Sequence, residues 1–300
     1  MTAPPPKPPA KYAIRPSPGE LITSLATGNT YTIGAQIGEG AFGVVYSCTD
    51  VWNNELAAKV LKPVGTYEKV RSAAQAEFTK LLSLRNPYLT FVYDAFEYRD
   101  TFYIITERCH GPVGNLFSTI QDFDGQIWLL PVARCLLQAV QYLHLNGYVH
   151  QDIHVGNLFV AFARDELVPD EPGSIHFKLG DLGVAKVLGE LDAQNTRAQW
   201  MLPPEALNPA DYGAVGPTID IYHTGLLLLQ LAYSKLLRFT TDEVLAGKPR
   251  DMALSLPAPY GFGLEKALRR HVQYRTATAM ELWRDLHTPG MTPTASPTDQ

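Results

Sequence analysis

The chain has 300 residues, 46% hydrophobic residues and a formal net charge of −5 at pH 7. This length fits one large domain or two ordinary domains, and the hydrophobic content is sufficient for a sizeable core. The acidic balance does not favour a nucleic-acid partner or an anionic membrane surface, and the longest apolar run, near 225–229, is far shorter than a membrane span.

The first predicted element is a proline-rich tail over 1–30. Seven prolines fall within residues 1–18, and little in that stretch can pack into a core. We therefore expect 1–30 to be disordered, and we expect a second, polar tail over 288–300. The folded domain is predicted to cover 31–287.

The next elements are mostly strands. Alternating apolar residues around a glycine turn predict a β-hairpin over 31–45, and a short apolar run predicts a strand over 56–60. Apolar residues at helical spacing predict a helix over 73–84, and two further strands are predicted over 88–95 and 101–106. The first hundred residues are thus expected to form a strand-rich region with one helix.

The remainder of the chain is predicted to be mainly helical. A long helical pattern covers 127–146 and ends at Gly147, and further helices are expected from residue 220 onward. The stretch 164–173 is rich in acidic residues, Pro and Gly, and it looks like an insertion in a surface hairpin. The fold class is therefore α+β, with a small β-rich lobe over 31–106, a hinge over 107–111 and a larger helical lobe over 112–287.

The cysteines indicate a reducing environment. Cys48, Cys109 and Cys135 are too few and too scattered for a disulfide framework or a zinc site. They are expected to be reduced thiols, so a cytoplasmic location is predicted.

Four short signatures follow one another along this chain. They are the glycine-rich stretch GEGAFGVV at 38–45, Lys59 on the next predicted strand, HQDIHVGN at 150–157 and DLG at 181–183. The glycine turn alone is equally consistent with an ordinary β-turn, but all four in this order resemble the eukaryotic-type Ser/Thr protein kinase family. The resemblance covers about 31–286.

What the resemblance implies is a bilobal protein-kinase-like fold with ATP and Mg²⁺ bound between the lobes. The implied reaction is transfer of the γ-phosphate to a Ser or Thr hydroxyl of an unidentified protein substrate. Glycines in the first signature would let the backbone close over the phosphates, Lys59 would hold the α- and β-phosphates, and Glu77 would pair with Lys59. The residues implied in ATP binding are Gly38, Gly40, Gly43, Val45, Ala57, Lys59, Glu77, the gatekeeper Thr106, and Glu107 and Cys109, whose backbone groups would bind adenine.

The resemblance assigns the chemistry to the third and fourth signatures. Asp152 would be the catalytic base, and Asn157 and Asp181 would be the two Mg²⁺ ligands, since oxygen ligands suit this ion. Lys59 and His154 complete the implied catalytic set. The alternative for Asp152 and Asn157 is that they only cap a turn.

Three residues in the C-terminal half favour a protein substrate. Glu205, in Pro-Pro-Glu, resembles the glutamate that closes the activation segment, and Arg275 matches the arginine that pairs with it. Asp220 matches the aspartate that braces the catalytic loop. Small-molecule kinases of similar fold usually lack these three features.

Two positions of the 150–157 segment depart from the family pattern. Gln151 stands where many protein kinases carry Arg, and because Gln is uncharged, no activation-segment phosphate is needed to neutralise it. Thr196 is the one hydroxyl residue between 181 and 205. His154 stands where Ser/Thr kinases carry Lys, as it does in aminoglycoside- and choline-type kinases. A small-molecule kinase and a nucleotide-binding pseudokinase therefore stay open as alternatives.

Overall fold

The computed structural model describes residues 15–40, 43–62, 67–163, 173–187, 191 and 201–287. The chain divides into two compact units, of which the first comprises 1–85 and 90–108 and the second comprises 86–89 and 109–300. The division between 108 and 109 falls inside the segment predicted as the hinge.

The first unit is built on one antiparallel sheet of six strands in the order β1-β2-β3-β4-β6-β5. Alternate residues of the strands point into its core, where Ile22, Ile33, Ala58 and Ile105 are fully or almost fully buried. One helix accompanies the sheet. The elements are β1 Leu21–Thr23, β2 Thr30–Glu39, β3 Gly43–Thr49, β4 Glu55–Leu61, α1 Tyr67–Ser83, β5 Val92–Tyr98 and β6 Thr101–Glu107.

Two boundaries in this unit differ from the sequence prediction. The helix α1 begins at Tyr67, six residues before the start expected from its apolar spacing. The strand β5 begins at Val92 instead of residue 88, because Leu89 forms a parallel bridge with Leu179 and so belongs to the second unit.

The expectation of a disordered tail over 1–30 is wrong for residues 15–30. There β1 pairs antiparallel with β2, and Ile22 is completely buried. Downstream, the buried carboxylate of Asp94 accepts hydrogen bonds from three hydroxyls that lie between residues 24 and 31. The sequence predicts disorder here because the segment is rich in proline. Its one buried isoleucine and its scattered hydroxyls form no periodic pattern that would indicate a strand. The tails 1–14 and 288–300 and the insertion 164–172 lie outside the described residues.

The second unit is mainly helical. Its central helix, α6, is buried along almost its whole length, and α3, α8 and α9 pack against it. The helix α3 buries one apolar stripe at helical spacing. The helices are α2 Leu116–Thr119, α3 Gln126–Leu145, α4 Pro204–Leu207, α5 Pro209–Tyr212, α6 Thr218–Ala232, α7 Thr241–Leu245, α8 Lys248–Leu254, α9 Tyr260–Ala267 and α10 Ala279–Asp285.

Short strands in the second unit position the polar loops. They form a three-stranded sheet, β10-β9-β7, and a two-stranded pair, β11-β8. The predicted hairpin around the insertion is present as antiparallel pairing of β9 with β10. The strands are β7 Gly111–Pro112, β8 Tyr148–Val149, β9 Leu158–Ala163, β10 Ser174–Leu179 and β11 Lys186–Val187. The α+β class, with a β-rich first unit and a helical second unit, is therefore confirmed.

Candidate active site

The loop between β8 and β9 is anchored by Asp220 in the first turn of α6. The Asp220 side chain is completely buried, and its two carboxylate oxygens accept the backbone N–H groups of His150 and Gln151, each at 2.8 Å. His144 Nε2 lies 2.9 Å from Oδ2. Burial alone would raise the pKa of Asp220, but the hydrogen bond and charge of His144, together with His150, hold it below its usual value. The carboxylate therefore stays charged and fixes the path of the loop.

Within this loop, Asn157 is bound to Asp152. The Asn157 Nδ2 donates to the Asp152 main-chain oxygen at 2.9 Å and to its Oδ2 at 3.0 Å. Both residues are buried, with Asp152 8% and Asn157 9% exposed. Because the amide nitrogen donates to Asp152, the amide oxygen of Asn157 is the side-chain atom that can accept a hydrogen bond or bind a cation.

The other carboxylate oxygen of Asp152 faces His154. The Nε2 of His154 lies 3.7 Å from Asp152 Oδ1. Burial alone would raise the pKa of Asp152, but the neighbouring His154 imidazole, with smaller contributions from His150 and His223, lowers it below its usual value. Asp152 is consequently a carboxylate at neutral pH.

Asp181 is placed beside this loop by its neighbour Gly180. The Gly180 N–H donates to the main-chain oxygen of Asn157 at 2.8 Å, and the Gly180 oxygen accepts from His150 Nε2 at 3.0 Å. Asp181 itself has φ 54° and ψ 47°, in the left-handed region. Non-glycine residues adopt this region infrequently, and such residues cluster at functional sites. The structure thus brings the backbone of Asp181 next to that of Asn157.

Gln151 combines strained backbone with a buried polar side chain. Its φ is 66°, its exposure is 4%, and its two amide atoms have no hydrogen-bond partner within the part of the chain that the structure describes. The segment that includes Thr196 lies outside that part. Gln151 is held in place through its backbone N–H, which Asp220 accepts.

Glu205 and Arg275 form a completely buried ion pair in the second unit. The two terminal nitrogens of Arg275 donate to the two carboxylate oxygens of Glu205 at 2.6 and 2.7 Å. Arg275 also donates to the main-chain oxygen of Thr218 at 3.2 Å, and its guanidinium lies 4.8 Å from the centre of the Tyr222 ring. This bidentate geometry pairs both buried charges.

The glycine-rich segment and Lys59 both lie in the first unit. Lys59 is in β4, paired with Val45 of β3 on one side. The N–H of Gly40 donates to the Gly43 oxygen at 2.9 Å. An added Cβ at Gly43 would lie 2.6 Å from the Val60 oxygen and 3.2 Å from Lys59 Cγ, so only glycine fits there. Residues 41 and 42 lie outside the described ranges.

The remaining residues of the predicted ATP set occupy the same sheet and its end. Gly38 pairs with Val45, and Ala57 pairs with Thr106. Glu107 exchanges hydrogen bonds with Phe91, accepting its N–H through Oε1 at 2.7 Å and donating its own N–H at 2.9 Å.

Two members of that set remain incompletely placed. Glu77 lies in α1, but its side chain is outside the described residues, so its pairing with Lys59 stays a prediction. Cys109 is the first residue of the second unit after the division.

Comparison with known proteins identifies the family. A model of the protein kinase domain matches residues 31–256. The chain is 26% identical over 204 residues to serine/threonine-protein kinase TAO2 of Rattus norvegicus, an alignment that covers 67% of this chain and 15% of the relative. It is 27% identical over 229 residues to serine/threonine-protein kinase TAO3 of the same species, covering 75% and 23%.

A third relative comes from a fungus. The chain is 27% identical over 223 residues to mitosis inhibitor protein kinase SWE1 of Candida albicans, covering 65% of this chain and 17% of the relative. Because the family model matches most of its length, the chain belongs to the protein kinase domain family. It spans less than a quarter of the length of these curated relatives. No helix among the described residues is long and apolar enough to cross a membrane.

Proposed function

We propose that this chain is a protein serine/threonine kinase that uses ATP and Mg²⁺ to phosphorylate hydroxyl groups of a protein substrate. The observation that carries the proposal is the loop fixed by Asp220, in which Asn157 binds the Asp152 carboxylate. The family membership and the similarity to serine/threonine-protein kinases support the same class of activity.

Asp152 is the proposed catalytic base. Its lowered pKa keeps it ionised at neutral pH, and Asn157 holds one of its oxygens. A substrate hydroxyl beside the other oxygen would be oriented for attack on the γ-phosphorus of ATP. It would lose its proton to the carboxylate as the new O–P bond forms and the bond from that phosphorus to the leaving ADP oxygen breaks. The buried setting strengthens this hydrogen bond and limits access of competing water.

The proposed Mg²⁺ ligands are the Asn157 amide oxygen and the Asp181 carboxylate. The donor set fits, because both ligands are oxygens and Mg²⁺ is usually held by few protein groups, with waters and phosphates completing the shell. When bound, the ion neutralises charge on the β- and γ-phosphates. The orientation of Asn157 follows from the use of its Nδ2 by Asp152.

All the proposed nucleotide contacts except Cys109 belong to the first unit. The backbone around Gly40 and Gly43 is the proposed contact of the phosphates, and Lys59 offers a cation on β4, the strand paired with β3. Glu77 is the proposed partner that orients Lys59. Val45, Ala57, Thr106 and the backbone of Glu107 and Cys109 are the proposed contacts of the rest of ATP.

Two observations bear on the alternatives. His154 in the position usually held by Lys favours a small-molecule kinase, and it also keeps a pseudokinase open together with Gln151. The buried Glu205–Arg275 pair and the Asp220 anchor favour a protein substrate, because they are the features that small-molecule kinases of this fold usually lack.

The direct test is phosphoryl transfer from labelled ATP. The purified chain, with Mg²⁺ and a generic basic protein, is expected to label that protein, whereas Asp152→Ala is expected to be inactive while still binding ATP. Asp251→Ala, a change at an exposed aspartate of α8, is the matched control and should be fully active.

The outcomes separate the three functions. Equal transfer by Asp152→Ala and wild type would exclude Asp152 as the base. Transfer to an aminoglycoside or to choline, with none to protein, would establish the small-molecule alternative. Nucleotide binding without transfer to any acceptor would establish a pseudokinase.

A further inference from the structure

The His154 imidazole is held from one side by the backbone of Gly156. The Gly156 N–H donates to His154 Nδ1 at 3.0 Å. A ring nitrogen that accepts an N–H has its lone pair in that bond and carries no proton. The proton of the neutral ring is therefore on Nε2, the nitrogen that lies 3.7 Å from Asp152 Oδ1.

The His154 ring also occupies the space that a side chain at position 156 would need. An added Cβ would lie 2.8 Å from His154 Cε1 and 2.9 Å from its Nδ1. The φ of Gly156 is outside the left-handed region, so the backbone conformation there does not demand glycine. A side chain at this position would therefore have to displace the imidazole.

Among the described residues, each oxygen of the Asp152 carboxylate has a neighbouring donor nitrogen. Asn157 Nδ2 binds Oδ2 at 3.0 Å, and the His154 Nε2 lies 3.7 Å from Oδ1. The His154 side chain is 21% exposed, so the protein rather than bulk water sets its orientation. This arrangement differs from that of a lysine, which brings a positive charge and has no second polar atom for the backbone to hold.

We propose that Gly156 is a positioning residue, whose N–H and missing side chain fix His154 as the Nε2–H tautomer with that proton directed at Asp152. The catalytic consequence rests on the proposed function, because it assumes that Asp152 receives a substrate hydroxyl. His154 then acts by orienting the base and not as a cation for the γ-phosphate.

A double-mutant cycle tests whether Gly156 acts through His154. Gly156→Ala is expected to lower kcat about tenfold or more, since small misplacements near reacting groups cost up to about 10²-fold, while KM for ATP changes less than about twofold. In a His154→Ala background the same substitution should have no further effect, because no ring remains to be displaced. Equal losses in both backgrounds would overturn the proposal.

The control for the added methyl group is Gly216→Ala. Gly216 lies in the same unit, has nothing within 4 Å of an added Cβ, and its φ is not left-handed. It should leave kcat and the melting temperature unchanged. A loss of kcat in this control equal to that in Gly156→Ala would also overturn the proposal.

The tautomer is measured directly by the ¹⁵N chemical shifts of the His154 ring, assigned by comparison with His154→Ala. The neutral ring should show the Nε2–H form in wild type, and Gly156→Ala should lose that single signature. A wild-type Nδ1–H form would overturn the proposal. This measurement needs no activity, so absence of phosphoryl transfer would refute the proposed function while the ring signature still decides this inference.

If Gly156→Ala fails to fold, the proposal is tested instead with two variants of His154. Gln reaches the Nε2 position with a donor, whereas Asn can accept the Gly156 N–H but ends short of Asp152. His154→Gln is expected to keep at least threefold more kcat than His154→Asn. Equal values or the reverse order would overturn the proposal.

Discussion

Asp220 in the second unit and Asp94 in the first are both buried carboxylates, but they accept hydrogen bonds from different kinds of donor. Asp220 accepts two backbone N–H groups of the loop 150–157 and lies beside His144. Asp94 accepts three side-chain hydroxyls from residues in 24–31. A backbone donor fixes the path of the chain, whereas a hydroxyl can rotate to another acceptor. Asp220 therefore determines the geometry of a loop, and Asp94 attaches a segment.

The two carboxylates also differ in whether their roles can be predicted from the sequence. Asp220 stands in a short local pattern, Asp-Ile-Tyr-His-Thr-Gly, that resembles a known signature. The donors of Asp94 are 63–70 residues away from it, and Ser, Thr and Tyr hydroxyls at such separations form no pattern.

The largest effect is expected from Asp220→Ala. It leaves two buried N–H groups without an acceptor, which should lower the free energy of unfolding by about 3 kcal/mol and kcat by about 100-fold through misplacement of Asp152. Urea unfolding and steady-state kinetics measure the two effects. His144→Ala, which removes the neighbouring ring but keeps both N–H acceptors, should cost less on both scales.

A smaller and purely structural effect is expected from Asp94→Ala. Three hydroxyls lose their common acceptor, one of them on the buried Tyr31, so the free energy of unfolding should fall by about 2 kcal/mol. The loop 150–157 is untouched, and kcat of the folded protein should stay within about twofold of wild type. An equal loss of kcat in Asp94→Ala and Asp220→Ala would contradict this comparison. It would show that Asp94, like Asp220, affects the geometry of the loop 150–157.

The sequence predicted those features that depend on local patterns. The helix expected over 127–146 is observed at Gln126–Leu145, because a buried apolar stripe has a period that can be read directly. The polar loop containing Asp152 and Asn157 is predicted from the resemblance of its HQDIHVGN segment to the family signature. The strand β1 was missed, because its one buried residue, Ile22, carries no period.

Contacts that depend on three-dimensional approach could not be predicted. The clash between a Cβ at Gly156 and the His154 ring requires the loop path, which Asp220 fixes from about 70 residues away. Likewise, the sequence does not predict that His144 lies beside Asp220. It shows only a histidine near the end of a predicted helix.

The pH dependence of stability should separate Asp220→Ala from wild type. The pKa of Asp220 is lowered in the folded protein. Its contribution to the free energy of unfolding is therefore fully present above the pKa of about 3.9 that an aspartate has in the unfolded chain, and it is lost as the pH falls through the pKa of the folded protein. The difference in unfolding free energy between wild type and Asp220→Ala should therefore narrow as the pH falls below about 4. Gly216→Ala, which removes no titratable group, should show a constant difference. A gap that widens toward low pH would contradict the lowered pKa.

The smallest effect is expected at Thr196. Asp220 holds the backbone of Gln151, and the Gln151 side chain brings no positive charge to the loop, so no phosphate on the segment 181–205 is needed to neutralise it. Activity should therefore be the same, within about twofold, in Thr196→Ala, in phosphatase-treated wild type and in untreated wild type. The opposing possibility is a phosphate on Thr196 that docks on Arg197 or Lys186. In that case Thr196→Ala and dephosphorylated wild type would lose rate equally, and a tenfold loss, which corresponds to about 1.4 kcal/mol of barrier, would show that loop geometry depends on this phosphate as well as on Asp220.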